Sequence, residues 1–326
     1  MLGPKTALRT FAALTICITA STASAGVAEA APSENTATIK FLSDQFVGGK
    51  TLDGFTPGTP DYGFTLEAML QRKAGGQKIV DQMTAIKATL ADSTVLSKSV
   101  VAKYAYNIDK TIKPGVAGKF LFTSMAIGVP NAPLRNAVVA DLKKVVANDG
   151  TIASGNSFDY AWAILGLASN HQERIANLAA VKLSKLSRPD GGFGLDQTGD
   201  TLASSPDATG IALQALALAK KSASKSQAAA EQQAIVVAAK YLRTVQVTGN
   251  HWESFGDVDV NGTAYAAMGL KAAGANVTSI QTWLKSRVAS TGGLITPWSN
   301  GRGDVFATAQ GVVALLGSNY LNLLGK

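Results

Sequence analysis

The sequence predicts an all-α fold, an α/α toroid of about six helix pairs with an apolar inner ring and an amphipathic outer ring. The chain of 326 residues is 46% hydrophobic and only 16% charged, which allows a large buried core and excludes extensive disorder. Two kinds of helical segment alternate along it. Six pairs over residues 32–326 give about 49 residues per pair, within the period of about 20 to 50 residues typical of repeat architectures.

The first kind of segment is apolar on all sides and rich in Ala and Leu. Because these residues favour helix and no polar face is present, each such segment is predicted to be a buried inner helix. The clearest example occupies residues 207–220. Comparable segments occupy residues 61–70, 159–168, 261–271 and 304–315, and a weaker one begins near Lys119.

The second kind of segment is amphipathic and is predicted to form the outer ring. In residues 231–245, apolar residues recur at helical spacing while charged and amide residues occupy the other faces. The ends of these segments lie near Leu42, Leu142, Leu183, Leu242 and Leu284.

A glycine-containing turn follows each amphipathic segment, most clearly at residues 190–193. Glycine accepts the positive φ that ends a helix, and the next large apolar residue can pack back between the layers. We therefore expect the two glycines of this turn to lie outside regular helix and Phe193 to be buried.

Residues 48–60, 188–206 and 291–303 are predicted to be loops across one mouth of the ring. A closed ring needs no capping repeats, unlike an open solenoid.

Residues 1–31 have the layout of a secretory signal peptide, with Lys5 and Arg9 before a short apolar run and then small residues. Cleavage is expected near Ala25 or Ala30. Residues 32–326 are then a single toroid domain, secreted and extracellular. Cys17 is the only cysteine and lies inside the apolar run. No second apolar stretch is long enough to span a membrane.

The formal net charge of +8 is scattered along the chain. No dense basic stripe with interleaved aromatics is present, so nucleic-acid binding is not expected, whereas attraction to anionic cell-wall polymers is. His171 and His251 are the only histidines. We expect no metal site, no cofactor and a monomer whose partner is a small molecule or a cell-wall component.

Two motifs in the chain resemble the repeats of the prenyltransferase and squalene/terpenoid cyclase toroids. They read DGGFG at residues 190–194 and LxxxQxxGxxW at residues 242–252. The pattern is most similar to secreted actinobacterial proteins with prenyltransferase-like repeats, and it covers the mature chain. Cobalamin-binding carriers and complement-type thioester domains share this toroid. The shared motif is packing machinery, so the resemblance implies the fold and leaves the function to individual residues.

The resemblance implies three chemistries that the sequence does not support. The zinc site of protein prenyltransferases and the thioester segment both need a cysteine, which the mature chain lacks. Class II terpene cyclases use an Asp-x-Asp-Asp-Thr-Ala motif. Residues 257–264 keep two acids and the Thr-Ala pair but depart from the motif at Val260 and Gly262. Such cyclases also usually carry a second helical domain, for which no residues remain.

Three functions remain compatible with the sequence. The leading hypothesis is a non-catalytic binder of a small or polymeric ligand at the ring mouth. The second is a degenerate prenyltransferase or terpene cyclase-like enzyme, with Asp257 and Asp259 as weak catalytic candidates. The third is a carbohydrate-active toroid, in which two carboxylates face each other across a groove and Asp159 pairs with Asp207 or Asp257.

The candidate ligand-binding residues lie at the starts of inner helices, in the mouth loops or within inner helices. They are Asp159, Trp162, Asp207, Trp252, Phe255, Tyr265, Trp298 and Asp304. Each has a structural alternative. For Asp61 and the acids among the candidates, a role as helix N-cap is the favoured interpretation, and for the aromatic residues of the mouth loops it is packing. For Trp162 and Tyr265, core packing and a place in the cavity lining are equally compatible with the sequence.

Two further expectations concern the lumen. Lys119 is expected to pair with Asp61 or Asp159. Ligands are expected at the end where the inner helices begin, while short turns such as residues 72–76, 128–133 and 274–276 close the opposite end.

Overall fold

A computed structural model describes residues 37–153, 155–195 and 204–325 of the chain. The predicted signal peptide, its cleavage sites and Cys17 lie outside these ranges. Within them the fold is the expected all-α toroid. The inner helices are α2 (Tyr62–Lys73), α6 (Pro114–Ile127), α8 (Ser157–Ser169), α10 (Pro206–Ala219), α12 (Val260–Ala272) and α14 (Val305–Leu315).

The outer layer consists of shorter or more amphipathic helices. These are α1 (Ala37–Asp44), α3 (Gln77–Asp81), α4 (Thr84–Leu90), α5 (Val100–Tyr104), α7 (Ala132–Lys144), α9 (Glu173–Ser184), α11 (Lys225–Thr244) and α13 (Thr278–Ser286). Two 3-10 helices, Leu96–Lys98 and Tyr320–Leu323, and one antiparallel hairpin, β1 (Trp252–Ser254) and β2 (Asp257–Asp259), complete the described elements.

The inner helices form a closed ring. Contacts run from α2 to α6, α8, α10, α12 and α14, and α14 packs back against α2. Each inner helix is buried on nearly all sides, as the apolar segments predict. Phe193 is fully buried and Gly191 has a φ of +90°, which confirms the predicted turn before α10.

The second repeat departs from the sequence expectation. In place of one amphipathic outer helix, α3, α4, a 3-10 turn and α5 cover residues 77–104. The following inner helix begins at Pro114, not near Lys119 as the sequence suggests. Pro114 occupies the first turn, where its fixed φ suits a helix start and its missing N–H costs nothing.

The last described residues close one end of the ring. The 3-10 helix Tyr320–Leu323 contacts α2 and α10, and Tyr320 is fully buried with its ring 5.5 Å from that of Trp162. The Gln71 amide donates to the Tyr320 hydroxyl at 3.1 Å, and the Tyr320 N–H donates to the Gln214 side chain at 2.8 Å. Both glutamines lie in the second half of their helices. The C-terminal end of the lumen is therefore filled by this tail as well as bordered by the predicted short turns.

Glu231 gives the outer layer a pH-dependent stability. Its side chain on α11 is fully buried, and neither carboxyl oxygen has a hydrogen-bond partner among the described residues. Burial raises the pKa of Glu231 from 4.5 to about 7, against the attraction of Lys220. The folded state then keeps this proton at pH values where the unfolded chain has lost it. This contribution to stability is fully present below pH 4.5 and is lost as the pH rises through about 7.

We expect Glu231→Gln to remove this pH dependence. The stability of the variant relative to the wild type should rise between about pH 4 and pH 8 by up to about 3 kcal/mol, since one pKa unit corresponds to about 1.4 kcal/mol. Urea unfolding at both pH values measures it. The exposed Glu173→Gln is the matched control, and an equal pH response in the two variants would contradict the assignment.

Candidate functional site

The open end of the toroid is the mouth at which the inner helices begin. The loops before α2, α12 and α14 border it, in agreement with the prediction for residues 48–60 and 291–303. In the third predicted loop, residues 196–203 lie outside the described residues. Side chains four residues apart lie on one face of a helix, so each inner helix presents a short column to the lumen. Asn261 and Tyr265 form such a column on α12, and Phe306 and Gln310 form another on α14.

A buried polar cluster forms the floor of this mouth. The Glu67 carboxylate accepts hydrogen bonds from Tyr265 at 3.0 Å and from Gln310 at 2.5 Å, and the Gln310 amide oxygen accepts from Asn261 at 2.5 Å. Lys119 forms an ion pair with Glu67 at 2.5 Å. The cluster joins α2, α6, α12 and α14 and is neutral overall, because the pair contributes one charge of each sign.

Lys119 does not pair with Asp61 or Asp159, so that expectation was wrong. It lies in the second turn of α6, one layer below the mouth, and its ammonium lies over the Trp162 ring, 5.2 Å from the centroid. Its partner is Glu67, which the sequence analysis did not select.

Trp162 and Tyr265 line the lumen and are also core. Both are only 2% exposed, and both rings contact that of Tyr320. Burial and the neighbouring Glu67 raise the pKa of Tyr265 well above its usual value, so this hydroxyl stays protonated. The Trp162 indole N–H has no hydrogen-bond partner among the described residues.

The acids at the helix starts divide into two groups. Asp61, Asp259 and Asp304 are N-caps, and each accepts the backbone N–H three residues ahead. Asp159 and Asp207 are not N-caps, because they lie one or two residues inside helices that Asn156 and Ser205 cap.

Asp159 has a structural role at two helix starts. It completes a capping box by accepting from the Asn156 N–H at 3.1 Å, and it also accepts from the Gly115 N–H on α6. The residue before α6 is Lys113, whose side chain provides no cap. Asp159 thus supplies the acid that α6 lacks. Burial raises the pKa of Asp159, and these two N–H groups oppose the rise.

Asp207 keeps a free carboxyl oxygen. Its Oδ1 accepts from the Ser205 hydroxyl at 2.5 Å and the Ala208 N–H at 2.9 Å, while Oδ2 has no hydrogen bond among the described residues. Burial raises the pKa of Asp207, and the nearby charge of Asp259 adds to the rise. Hydrogen bonds from Ser205 and Ala208 oppose it. The structure therefore brings together two of the candidate acids, Asp207 and Asp259.

A cavity of about 210 Å³ opens beside Asp259, and Asp207 does not line it. Two exposed aromatic side chains form part of its lining: Phe255 (107% exposed), at the tip of the β1–β2 hairpin, and Trp298 (67% exposed), in the loop before α14. Asp259, Asn261 and Thr296 supply polar groups. The cavity thus combines flat apolar faces with a carboxylate and an amide.

Phe255 occupies an unusual backbone conformation. It has a φ of +55°, followed by Gly256 at +85°, in a two-residue hairpin turn. Such turns favour Asn or Gly, because a positive φ is unfavourable for most other residues. A phenylalanine that is both strained and fully exposed is a feature expected of a functional site.

The remaining candidates have different surroundings. Trp252 is fully buried under the mouth loops, and its indole N–H donates to the Leu242 carbonyl at 3.0 Å, so its position fits packing and not ligand contact. Asp257 is exposed on β2 and does not line the cavity. Asp304 borders the site indirectly, through a 3.3 Å hydrogen bond from Thr296.

Sequence reasoning missed the aromatic stack between the two sides of the mouth. Phe55 is 89% exposed and stacks on Phe306 with ring centroids 4.4 Å apart, and Phe64 packs on Phe306 at 4.2 Å. The sequence does contain a pattern that points to this residue, because Phe55 follows Asp53-Gly54 in the first of the glycine turns.

Among the described residues, no group of three or more His, Cys, Asp or Glu side chains is placed to hold a metal ion. In the same residues, no helix is long and apolar enough to cross a membrane.

Comparison with known proteins supports the fold. No protein-family model matches the chain, and no curated protein matches it. Solved structures do match. An unsaturated glucuronyl hydrolase specific for heparin has a TM-score of 0.60 and 12% identity, over 87% of this chain and 95% of the hydrolase. The type II terpene cyclase MstE from Scytonema has a TM-score of 0.61 and 13% identity, over 86% of this chain and 95% of the cyclase.

Haptocorrin in complex with Cbi is also similar, with a TM-score of 0.53 and 14% identity, over 90% of this chain and 69% of haptocorrin. At these identities the matches establish the α/α toroid alone.

Proposed function

We propose that the mouth of this toroid binds a carbohydrate and hydrolyses a glycosidic bond, with Asp207 as the general acid and Asp259 as the second carboxylate. The observation that carries the proposal is the partly buried Asp207, whose Oδ2 has no hydrogen bond among the described residues and which feels the charge of Asp259. Asp259 in turn lines the aromatic cavity. Flat aromatic faces pack well against the apolar C–H faces of sugar rings. The predicted signal peptide leads us to propose that the protein acts outside the cell, on a polymer of a cell wall or matrix.

The chemistry requires two carboxyl groups in different protonation states. Burial holds the pKa of Asp207 above its usual value, so the protonated form persists to higher pH than for an ordinary aspartate. Protonated Asp207 donates its proton to the glycosidic oxygen as the bond to the leaving sugar breaks. Ionised Asp259 takes a proton from the water that attacks the anomeric carbon. Activity should fall as the pH rises through the raised pKa of Asp207.

The hydrolase structure in the comparison supports this choice at the level of the fold, since it applies the same toroid to a glycan. A terpene cyclase mechanism fits the floor of the mouth less well. Such a mechanism passes through carbocations, which the faces of aromatic side chains stabilise. Trp162, the aromatic face that could stabilise a cation, is already in contact with Lys119.

We expect Asp207→Asn to lower kcat for glycan hydrolysis by at least about 100-fold, because general acid catalysis contributes about 10² to 10⁴ in rate. Substrate affinity should change little, since Asn can still accept from Ser205. The measurement is release of reducing ends from a panel of polysaccharides by the purified protein. Asp44→Asn is the control with the same change in charge, because Asp44 is an exposed acid on outer helix α1 that lines neither cavity. Wild-type activity in Asp207→Asn would contradict the assignment of the acid.

A non-catalytic binder is the second candidate. The observation that favours it is that Asp259 is already occupied as a cap, with Ser254 donating to one carboxyl oxygen at 2.6 Å and the Gly262 N–H to the other at 2.7 Å. The same panel separates the two functions. Saturable binding that needs Trp298 and Phe255, without release of reducing ends, would support the binder.

A further inference from the structure

We propose that a second cavity, on the other side of the Phe55–Phe306 stack, binds the anionic group of an acidic sugar. This inference deepens the proposed function by naming a substrate class, and it rests on that function only for the sugar. The cavity has a volume of about 650 Å³ and lies between the loop before α2, the end of α5 and the start of α6.

Two lysines make this cavity cationic. Lys103, at the end of α5, and Lys113, immediately before α6, both line it. Neither ammonium group forms an ion pair or hydrogen bond with any described residue. Asp61 is the acid in the lining, and one of its oxygens accepts the Phe64 N–H at 2.8 Å. The lining therefore has a net charge of +1, with both ammonium groups available to a ligand.

Aromatic side chains provide a surface for the ring that carries the anion. Tyr62 and Tyr104 stack with centroids 5.0 Å apart, and both line the cavity together with Phe55. The Tyr104 hydroxyl is buried and has no hydrogen-bond partner among the described residues. Burial raises the pKa of Tyr104 well above its usual value, so this buried hydroxyl stays protonated. The cavity thus combines two cations with flat apolar faces.

This combination differs from that at the Asp207 side. There the polar lining groups are the Asp259 carboxylate, the Asn261 amide and hydroxyl groups, which suit the hydroxyl groups of a neutral sugar. The exposed Phe55 belongs to the loop that lines the second cavity and stacks on Phe306, in the first turn of α14, whose preceding loop lines the first cavity. One oligosaccharide could therefore place an acidic residue by the lysines and extend over the stack toward Asp207.

The probe is tetragalacturonate, with its methyl ester as the uncharged form of the same chain. We expect the full protein to bind tetragalacturonate more tightly than the ester in calorimetric titration. The double variant Lys103→Gln/Lys113→Gln should lose about tenfold in affinity for tetragalacturonate and should bind the ester as before. Tenfold corresponds to about 1.4 kcal/mol, which the loss of two partly exposed charge pairs together supplies. The exposed pair Lys143→Gln/Lys285→Gln is the control with the same change in net charge and should match the wild type.

A sulfated chondroitin tetrasaccharide distinguishes a sulfate from a carboxylate as the preferred anion, and binding of either that needs both lysines supports the inference. Equal affinity for acid and ester, equal losses in the two double variants, or no binding of any acidic probe would overturn it. The outcomes for the two proposals are separable. Lysine-dependent binding without hydrolysis would contradict only the catalytic role of Asp207, and hydrolysis of neutral glycans alone would contradict only the anionic site.

Discussion

Gly210→Ala should destabilise the protein by about 3 kcal/mol or more, although alanine is the better helix former. A Cβ atom on Gly210 of α10 would lie 2.1 Å from the Tyr265 carbonyl oxygen of α12, which is far inside van der Waals contact. In the reverse direction, a Cβ on Gly269 would lie 2.5 Å from the Gly210 carbonyl oxygen. The obstacle is backbone on both sides, so no side chain can move aside. The two inner helices would have to separate, and the ring would lose packing along its circumference.

Urea or thermal unfolding measures this effect, with Gly63→Ala as the matched control. Gly63 lies in the first turn of inner helix α2, and an added Cβ would come no closer than 3.4 Å to its nearest neighbour. We expect that control to be neutral or slightly stabilising, by up to about 1 kcal/mol. If Gly210→Ala were equally neutral, the close crossing of α10 and α12 would be wrong.

The fold was predictable because a ring imposes the same demand on every repeat. Each inner helix must be apolar on all sides, and each outer helix must end in a turn that accepts a positive φ. Both demands leave a periodic signal in the sequence, and Phe193 is the clearest case. The second repeat was less predictable, since several short helices cover α2 and α6 without a continuous amphipathic pattern.

The site was predictable only in part. Asp259, Phe255 and Trp298 line one cavity because each belongs to a helix start or a loop at the mouth, which the repeat alignment identifies. The role of Asp159 was not predictable. Its second hydrogen-bond donor is the Gly115 N–H, more than forty positions away in the chain. Composition and spacing carry no information about such contacts around a ring.

The same limit explains why Glu67 was missed. It is a single acid in the middle of α2, and its partners Lys119, Tyr265 and Gln310 come from three other inner helices. The sequence around Glu67 contains no motif that marks this acid as a functional residue. Its importance follows only from ring closure, which brings α14 and α6 to either side of α2.

Glu67→Leu should destabilise the protein by about 3–5 kcal/mol, because removing one partner of a buried ion pair leaves the other charge uncompensated. Three donors lose their acceptor at once: the Lys119 ammonium, the Tyr265 hydroxyl and the Gln310 amide. Glu67 is only 3% exposed, so water replaces these hydrogen bonds poorly. Chemical denaturation at neutral pH measures the loss.

The double variant Glu67→Leu/Lys119→Met separates the charge from the packing. If the unpaired ammonium causes most of the loss, removing it as well should recover more than half, since apolar replacements of a buried pair are often nearly neutral. The coupling energy between the two sites, from the cycle with Lys119→Met alone, should then be at least about 1 kcal/mol. Additive effects would instead mean that Lys119 reaches water through the mouth once Glu67 is gone. In that case the floor of the site would be wet, and the cluster would owe its stability to the hydrogen bonds of Tyr265 and Gln310.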